Sequence, residues 1–385
     1  MTRVDVATYL ADCRRLAVEE IQRLMPREST LSPILYDLML DYPLRDAKGL
    51  RPALCLATCR ALGGSEQAAV PSAAIIELYH NAFLIHDDVE DGSRRRRNRP
   101  TLHTEHGVPI AINVGDAMLA LALEPLLENA RIVGLGQALK ILQVIGRMAR
   151  ETAEGQAIEL DWIRRNTWVL GDADYRGMVL KKTGWYTFIA PIRIGAIIAG
   201  ASGDQIALLD QFAADLAVAF QIRDDVLNLA TESPQYGKEA MGDLWEGKRT
   251  LLLLHALRCA TDGERAKMEE VLRMRRPDSR QEGLSSEFLN RLQAGGELTE
   301  TGRRSIAIAL GHHDDSTSGC KTSEGVEFLF SRILESRASE YAQSVGESYA
   351  VRARAALDRA APWLAPSVHL DLLYALVDFT VARAA

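Results

Sequence analysis

The sequence predicts an all-α protein, a single large helical bundle. Apolar residues recur at three- and four-residue spacings, which is the period of a helix with one buried face, in stretches such as 75–84, 208–229 and 251–257. Alternating strand patterns bounded by turn residues are scarce. Aromatic residues make up only 6% of the chain, and the composition is otherwise that of an ordinary globular protein.

The helical periodicity divides the chain into ten segments. We expect helices near residues 3–25, 47–62, 70–91, 109–130, 135–164, 171–199, 203–230, 246–260, 323–360 and 366–383. Two of them, 70–91 and 203–230, are apolar for most of their length and acidic at the end. That arrangement suits a deep central cavity whose mouth is acidic.

The chain of 385 residues is interpreted as one domain, residues 1–385, although its length alone would also allow two or three. Residues 275–320 interrupt the helical pattern. They are polar and contain Pro277 and six glycines, and we interpret them as an insertion within the domain.

Composition excludes several classes of function. The net charge of −7 argues against a nucleic-acid-binding protein. No apolar run reaches the roughly 18 residues of a membrane span, and the first residues lack the features of a signal peptide. The five cysteines form no Cys-x-x-Cys pair, so we expect reduced thiols and a cytoplasmic protein.

Two acidic motifs end the two apolar helices. The first contains Asp87, Asp88 and Asp91, and the second contains Asp224, Asp225 and Asn228. Residues four apart share a helix face, so Asp87 and Asp91 point the same way. Two carboxylates so placed repel each other unless a cation lies between them, and Mg²⁺ prefers oxygen ligands. A solvated acidic helix end is the alternative for either motif alone, but two matching motifs favour a metal site.

Basic residues surround these motifs. Lys48 and Arg51 precede the first motif, Arg94–Arg97 follow it, and Lys182 lies between the two motifs; Lys238 and Lys248 come after the second motif. For any one of them an ordinary surface charge is the alternative. Together with the aspartates they are typical of a site for metal-bound diphosphates.

At these residues the sequence resembles the trans-isoprenyl diphosphate synthases, or polyprenyl synthetases, and most closely the geranylgeranyl and farnesyl diphosphate synthases. The resemblance covers about 35–257 and resumes from 321 to the end. It rests on these segments: Lys48–Pro52, Glu77–His80, Asp87–Ser93, Arg96–Arg97, Arg99–His103, Gly155–Gln156, Lys182–Thr183, Phe220–Asn228, Tyr236–Lys238, Gly242–Asp243 and Glu246–Lys248.

The resemblance implies an isoprenoid-synthase helical bundle, a homodimer and a prenyltransferase reaction. Isopentenyl diphosphate would add head-to-tail to an allylic diphosphate with three Mg²⁺ ions, to give geranylgeranyl diphosphate, with farnesyl diphosphate as the alternative product. The implied metal ligands are Asp87, Asp91 and Asp224, with Asp88, Asp225 and Asn228 beside them. Arg96, Lys182 and Lys238 would hold the allylic diphosphate, and Lys248 would be a further substrate-binding residue. Lys48, Arg51, His80 and Arg97 would hold isopentenyl diphosphate, and Thr183 and Gln221 would lie near the reacting carbons.

The sequence departs from the family pattern in three places. Asn228 replaces an aspartate, which keeps an oxygen ligand and removes a charge. Asn98 stands where the family usually has glycine, so a shift of the arginine loop is expected. The 275–320 insertion is outside the usual pattern.

Product length depends on how far the cavity extends below the metal ligands. Phe83 lies four residues before Asp87, about 6 Å along a helix, and Tyr79 lies one turn deeper. A Phe83 side chain across the cavity would favour a fifteen-carbon product. A gap at the small Ala82 would let the chain pass toward twenty carbons. Ordinary helix packing is the alternative for Phe83.

A class I terpene cyclase is the competing enzyme function, since such enzymes also bind three Mg²⁺ through aspartates. Asp224, Asn228 and Glu232 loosely fit the spacing of the second cyclase motif. A cyclase binds one diphosphate and does not need the second cationic set. A non-catalytic regulatory subunit is the other alternative, but such a subunit would be expected to lack one of the aspartate motifs.

Overall fold

The computed structural model describes residues 5–26, 33–229, 241–276 and 319–381, with a few positions between 292 and 302. Helices provide almost all regular structure in these residues. The predicted all-α class is therefore confirmed. The helices, numbered in chain order, are α1 Val6–Leu24, α2 Pro33–Leu44, α3 Leu50–Ala61, α4 Glu66–Glu90, α5 Leu102–His106, α6 Val108–Leu121, α7 Leu123–Glu128, α8 Ala130–Val133, α9 Leu135–Arg164, α10 Asp172–Val179, a π-helix Leu180–Ile189, α11 Ala190–Ile198, α12 Gly203–Asn228, α13 Gly242–Glu246, α14 Leu251–Cys259, α15 Asp262–Arg273, α16 Ser323–Glu335, α17 Ala338–Ala360, a 3₁₀ turn Ala361–Trp363 and α18 Val368–Val381.

Helix α12 joins the two hydrophobic clusters that form the core. Its first half contributes Phe212 and Leu216 to a large cluster with α3, α4 and α11. Its second half contributes Val218 and Ile222 to a smaller cluster with α14, α15 and α16. The helix begins at a capping box in which Ser202 and Gln205 satisfy each other's backbone N–H groups. This central helix therefore fixes the position of the second acidic motif, which lies at its end.

Four predicted helices are interrupted or divided, and in two of them a residue with positive φ marks the break. Gly247, with φ of +72°, ends α13, so the predicted helix 246–260 begins again only at Leu251. Arg337, with φ of +53°, divides the predicted helix 323–360 into α16 and α17. The predicted helix 171–199 widens into a ten-residue π-helix in its middle. The predicted helix 109–130 is a series of shorter ones.

Sequence periodicity missed helices α2, α5 and α15 and a two-stranded hairpin. The hairpin pairs Arg95–Arg96 with Arg99–Pro100. Helix α15 carried an overlooked signal, since Thr261 and Glu264 form a capping box at its start. Almost all of the predicted 275–320 insertion lies outside the described residues.

Three helical segments are long and apolar enough, by length and composition alone, to cross a membrane. They are Glu66–Glu90, Val108–Val133 and Gly203–Asn228, and the protein buries 72%, 39% and 50% of their most apolar parts, respectively. The predicted absence of a membrane span is therefore not confirmed. The five cysteines, all within the described residues, are free thiols.

Helix α9 packs directly against the π-helix through Gly155. A Cβ atom at this position would lie 2.2 Å from the backbone nitrogen of Lys182 and 2.5 Å from its Cα. No side chain fits at that distance. The glycine therefore allows the backbone approach that places Lys182 in the cavity described below.

We expect Gly155→Ala to lower the free energy of unfolding by about 1–3 kcal/mol, because the added methyl group must separate two packed helices. Gly146→Ala is the matched control, since it lies on the same helix with no atom within 4 Å of the added Cβ. It should raise stability by about 1 kcal/mol through helix propensity. Chemical denaturation of both variants tests this, and equal effects would contradict the proposed packing constraint.

Candidate active site

A cavity of about 610 Å³ lies among α4, α9, the π-helix and α12. It collects most of the residues that the sequence singled out. Those lining it are Arg51, His80, Phe83, Asp87, Arg96, Arg97, Lys182, Thr183, Gln221, Asp224, Asp225 and Lys248. Asp91 and Asn228 line an adjoining cavity of about 360 Å³, which shares Arg96, Asp243 and Lys248 with the first.

The first acidic motif occupies the last turn of α4. The backbone N–H of Asp91 donates to Asp87 O at 2.8 Å, and Ser93 N–H donates to Asp88 O at 3.0 Å. Gly92, with φ of +63°, ends the helix between them. The negative end of the helix dipole and the carboxylates therefore coincide, which makes this turn a favourable place for cations.

Asp88 is a buried anchor for Arg96. It accepts a hydrogen bond from the Tyr42 hydroxyl at 2.5 Å, and from Arg96 Nε and Nη2 at 2.9 and 2.5 Å. Burial raises the pKa of Asp88, and the charge of Arg96 opposes that shift. Both carboxylate oxygens of Asp88 accept hydrogen bonds from protein donors, and the residue does not line the cavity. Asp88 therefore serves to position Arg96.

Asp87 and Asp91 face the cationic side chains of the site. Asp87 lies 3.2 Å from Lys182 Nζ and 3.3 Å from Arg96 Nη2. Asp91 Oδ2 is buried 3.0 Å from Lys248 Nζ and accepts no hydrogen bond from the described residues. Burial raises the pKa of Asp91 to about 7, against the attraction of Lys248. A bound divalent cation would reverse that shift, because it favours the carboxylate.

The second acidic motif occupies the last turn of α12. Asp225 accepts hydrogen bonds from the Tyr175 hydroxyl at 2.7 Å and from Gln221 Nε2 at 2.8 Å. Burial and the charge of Asp243 raise its pKa well above the usual range. The side-chain oxygen of Asn228 accepts from the backbone N–H of Asp243 at 3.2 Å. Asn228 therefore holds the start of α13 beside the site, a role that an amide fills without adding charge.

Arg51, His80 and Arg97 form a second cationic group in the same cavity. Arg51 Nη2 donates to the Thr187 hydroxyl at 2.8 Å. Burial and the charges of Arg51 and Arg97 lower the pKa of His80 well below its usual value. Among the described residues, buried His80 Nδ1 and Arg51 Nε have no hydrogen-bond partner. Unsatisfied buried donors beside positive charge favour an anionic ligand at this point.

A two-residue turn supports the arginines. Arg97 and Asn98 have φ of +53° and +61°, and Arg96 pairs with Arg99 across the hairpin. Such turns require positive φ at both central residues, which asparagine tolerates better than most residues. Asn98 therefore replaces glycine and still keeps the left-handed conformation that the turn requires.

The π-helix carries Lys182 and Thr183 on one side of the cavity. Lys182 pairs with Glu159 as well as with Asp87. Burial by itself would lower the pKa of Lys182. The negative charges of Asp87 and Glu159 have the larger effect, so the pKa is raised overall. Lys182 therefore stays protonated and presents a positive charge to the cavity.

Sequence reasoning missed three residues that support the site: Glu159, Tyr42 and Tyr175. Glu159 comes four residues after Gly155, a helical spacing that could have revealed it. The two tyrosines hold one aspartate of each motif, across long sequence separations that no local pattern encodes. Arg249 is buried, lines the cavity and donates to Thr167 O at 3.2 Å.

The residues suggested to set product length divide into two groups. Phe83 lines the cavity and packs against the rings of Tyr79 and Tyr186, with centroids 5.9 and 5.8 Å away. Tyr79 and Ala82 are buried and do not line the cavity. The wall below the metal ligands is therefore Phe83 with Tyr186, a residue that the sequence analysis did not single out.

Of the predicted substrate-binding lysines, Lys48 is not part of the cavity lining. Lys48 is exposed, and its ammonium lies 5.6 Å from the ring centroid of Phe379. Lys238 lies outside the described residues. The roles suggested for both stay predictions.

The carboxylates fit a cation that keeps part of its water shell. Within the described residues, no three His, Cys, Asp or Glu side chains converge closely enough to hold a metal ion by themselves. Asp87, Asp91 and Asp224 nevertheless supply oxygen donors, and Asp91 Oδ2 is buried without a hydrogen bond. Mg²⁺ commonly binds one or two carboxylates and takes its remaining oxygens from water and phosphates.

Comparison with known proteins identifies the family. The sequence profile described as polyprenyl synthetase matches residues 33–286. The chain belongs to the polyprenyl synthetase family. It is 33% identical over 341 residues to the geranylfarnesyl diphosphate synthase of Aeropyrum pernix, covering 87% of this chain and 90% of that one. The family assignment makes the protein a prenyltransferase, as the sequence analysis predicted.

Other members of the polyprenyl synthetase family agree. The chain is 32% identical over 233 residues to the geranylgeranyl diphosphate synthase of Sulfolobus acidocaldarius, covering 60% of this chain and 70% of that one. Its fold matches a Caulobacter crescentus polyprenyl synthase solved with calcium and isoprenyl diphosphate. That structure has a TM-score of 0.74 at 27% identity, over 99% of this chain and 98% of the other.

Asp87 and Asp88 should respond differently to loss of charge. Asp87→Asn removes a carboxylate from the cavity, so we expect about a tenfold higher Mg²⁺ requirement for activity with little loss of stability. Asp88→Asn weakens buried charged hydrogen bonds to Arg96 and should lower the free energy of unfolding by about 2 kcal/mol. Metal titration of activity and thermal unfolding measure the two effects. If both variants change the Mg²⁺ requirement and the free energy of unfolding alike, the two aspartates do not have these separate roles.

Proposed function

We propose that the protein condenses isopentenyl diphosphate with an allylic diphosphate to give geranylgeranyl diphosphate, with Mg²⁺ as the metal. The observation that carries this proposal is the presence of two cationic groups in one cavity. Arg96, Lys182 and Lys248 surround the aspartates, and Arg51, His80 and Arg97 form the second group. Two separate groups suit two diphosphate substrates.

The side chains divide the reaction into binding, ionisation and carbon–carbon bond formation. Mg²⁺ bound by the aspartates would supply positive charge to the leaving diphosphate. Lys182 and Arg96 hold that diphosphate as its bond to the allylic carbon breaks and it gains the electron pair. Arg51 and Arg97 hold isopentenyl diphosphate so that its double bond lies beside the allylic cation.

A new carbon–carbon bond then forms, and one proton leaves the former isopentenyl unit. An oxygen of the departing diphosphate serves as the base, since the lysines and arginines stay protonated and His80 belongs to the second group, which holds the diphosphate of isopentenyl diphosphate. Phe83, Leu84, Leu119 and Phe220 provide an apolar wall in the same cavity. That wall keeps water from the cation, which water would otherwise convert to an alcohol.

The terpene cyclase alternative is not favoured. A cyclase uses a single diphosphate, so it has no need for the Arg51, His80 and Arg97 group. The similar proteins are named as isoprenyl diphosphate synthases. Glu232, needed for the cyclase spacing, lies outside the described residues.

A product assay tests the reaction. Purified protein with Mg²⁺ would receive dimethylallyl, geranyl or farnesyl diphosphate, each with and without isopentenyl diphosphate. Elongated diphosphates of twenty carbons, formed only with isopentenyl diphosphate, are the expected result. Hydrocarbons formed from farnesyl diphosphate alone would instead establish the cyclase.

Phe83→Ala should lengthen the main product by at least one five-carbon unit, because it removes the ring that separates the cavity from Tyr79. Mass spectrometry of the products measures this. Phe328→Ala is the control, since Phe328 does not line the cavity and its ring centroid lies 4.3 Å from Lys267 Nζ. An unchanged product spectrum for Phe83→Ala would exclude Phe83 as the floor.

We infer a homodimer formed through the apolar face of helices α6–α9. Eight large aliphatic side chains of these helices are 39–67% exposed: Val108, Ile110, Ile112, Leu123, Leu127, Ile132, Leu135 and Leu139. A patch of this kind marks an interaction surface. A second copy is the occupant that the resemblance implies. We also place the protein in the cytoplasm, in keeping with its free thiols.

The double variant Leu127→Glu with Leu135→Glu should convert the dimer to a monomer, because it buries two charges in the interface. Light scattering with size-exclusion chromatography measures the mass. Val351→Glu, at a position 68% exposed on another helix, should leave the mass unchanged. A monomeric parent protein, or a dimer that survives the double variant, would contradict this arrangement.

A further inference from the structure

The two ends of the 275–320 segment meet at a short backbone neck. Arg275 N–H donates to Gly319 O at 2.8 Å, and Lys321 N–H donates to Arg275 O at 2.7 Å. Arg275 and Cys320 form a parallel bridge there. The start and the end of the segment are therefore fixed relative to each other.

Both sides of this neck contact the chain just before Lys248. On one side, Arg276 Nη1 lies 3.3 Å from Glu246 Oε1. On the other side, Lys321 Nζ donates to Trp245 O at 2.7 Å. The neck is thus attached to the end of α13, which leads directly into the active-site cavity.

Glu246 is shared between the neck and the active site. Its Oε2 lies 2.8 Å from Lys248 Nζ, while its Oε1 faces Arg276. Lys248 lies 3.0 Å from Asp91 on its other side. These four side chains are only 4–17% exposed, and all of them line the 360 Å³ cavity. An unbroken chain of charges therefore runs from Arg276 to an aspartate of the first motif.

In this geometry the position of the Lys248 ammonium depends on Arg276. With Oε1 facing Arg276, the Glu246 carboxylate offers mainly Oε2 to Lys248. Without Arg276, the negative charge of Glu246 is no longer offset by this guanidinium, so Glu246 attracts Lys248 more strongly, because the compact charge of a lysine on its flexible stem follows the nearest anion. The ammonium would then lie closer to Glu246 and farther from Asp91 and the cavity.

We propose that Arg276 is a positioning residue for the reaction: acting through Glu246, it keeps the Lys248 ammonium available to the diphosphate of the allylic substrate. This proposal rests on the proposed function of the cavity. It connects the edge of the 275–320 segment, which lies outside the usual family pattern, to substrate binding. A change at the neck would therefore alter the affinity for one substrate.

Kinetics of Arg276→Ala test the proposal first. We expect the KM for the allylic diphosphate to rise about tenfold, the effect of losing about 1.4 kcal/mol of interaction. The KM for isopentenyl diphosphate should stay within about twofold, because Arg51 and Arg97 lie in the other cationic group. Arg276→Lys should recover most of the loss, and Arg273→Ala, at an exposed position three residues earlier, should change neither KM.

A double-mutant cycle with Glu246→Gln tests whether Arg276 acts through Glu246. If it does, Arg276→Ala added to Glu246→Gln changes the KM no further. If the two substitutions raise the KM for the allylic diphosphate by independent factors that multiply, Arg276 contacts the substrate directly. If the KM values for both substrates rise equally, the substitution has caused a general loss of structure. Either result, or an unchanged KM in Arg276→Ala, overturns the proposal.

Calorimetric binding of inorganic diphosphate with Mg²⁺ keeps this test separate from the product assay. Binding needs no turnover, so it can be read even if the product is not geranylgeranyl diphosphate. Arg276→Ala should weaken this binding about tenfold, and Arg273→Ala should leave it unchanged. Diphosphate binding that is intact in Arg276→Ala would count against the positioning role, whatever the products are.

Discussion

The site depends on one electrostatic constraint: two helices end in carboxylates inside the same buried region. The C-terminal end of a helix already carries partial negative charge, so acidic residues there are unfavourable unless cations compensate them. Lys182 and Lys248 supply that charge at Asp87 and Asp91. Tyrosine hydroxyls and Arg96 satisfy the buried carboxylates behind them. Much of the surrounding structure, including the close approach at Gly155, serves to bring these compensating groups into place.

The constraint also explains why the aspartates differ in role. A carboxylate saturated by protein donors, as in Asp88, fixes its neighbours in place. A carboxylate with an oxygen free of hydrogen bonds, as in Asp91, can exchange a lysine for a metal ion or a metal-bound phosphate. The first motif therefore combines a rigid support with an adaptable ligand. That combination suits a site that must hold, release and rebind highly charged molecules.

Local sequence patterns predicted the helices and the polar cavity well, because both depend on features within one or two turns. Helix α9 was predicted at 135–164, and it spans Leu135–Arg164. The acidic motifs were recognisable because they repeat the same spacing. What local patterns could not predict were partners distant in the chain, such as Tyr42 with Asp88 and Tyr175 with Asp225. Backbone geometry was also beyond them: the π-helix and the breaks at Gly247 and Arg337 arise from packing or positive φ.

The turn at Arg97 and Asn98 places two neighbouring arginines on different sides of the cavity. Arg96 contacts Asp87 and Asp88, whereas Arg97 donates to the Tyr42 carbonyl at 3.0 Å and lies near His80. A single two-residue turn therefore supplies one arginine to each cationic group, so a change in the backbone of this turn would displace side chains of both.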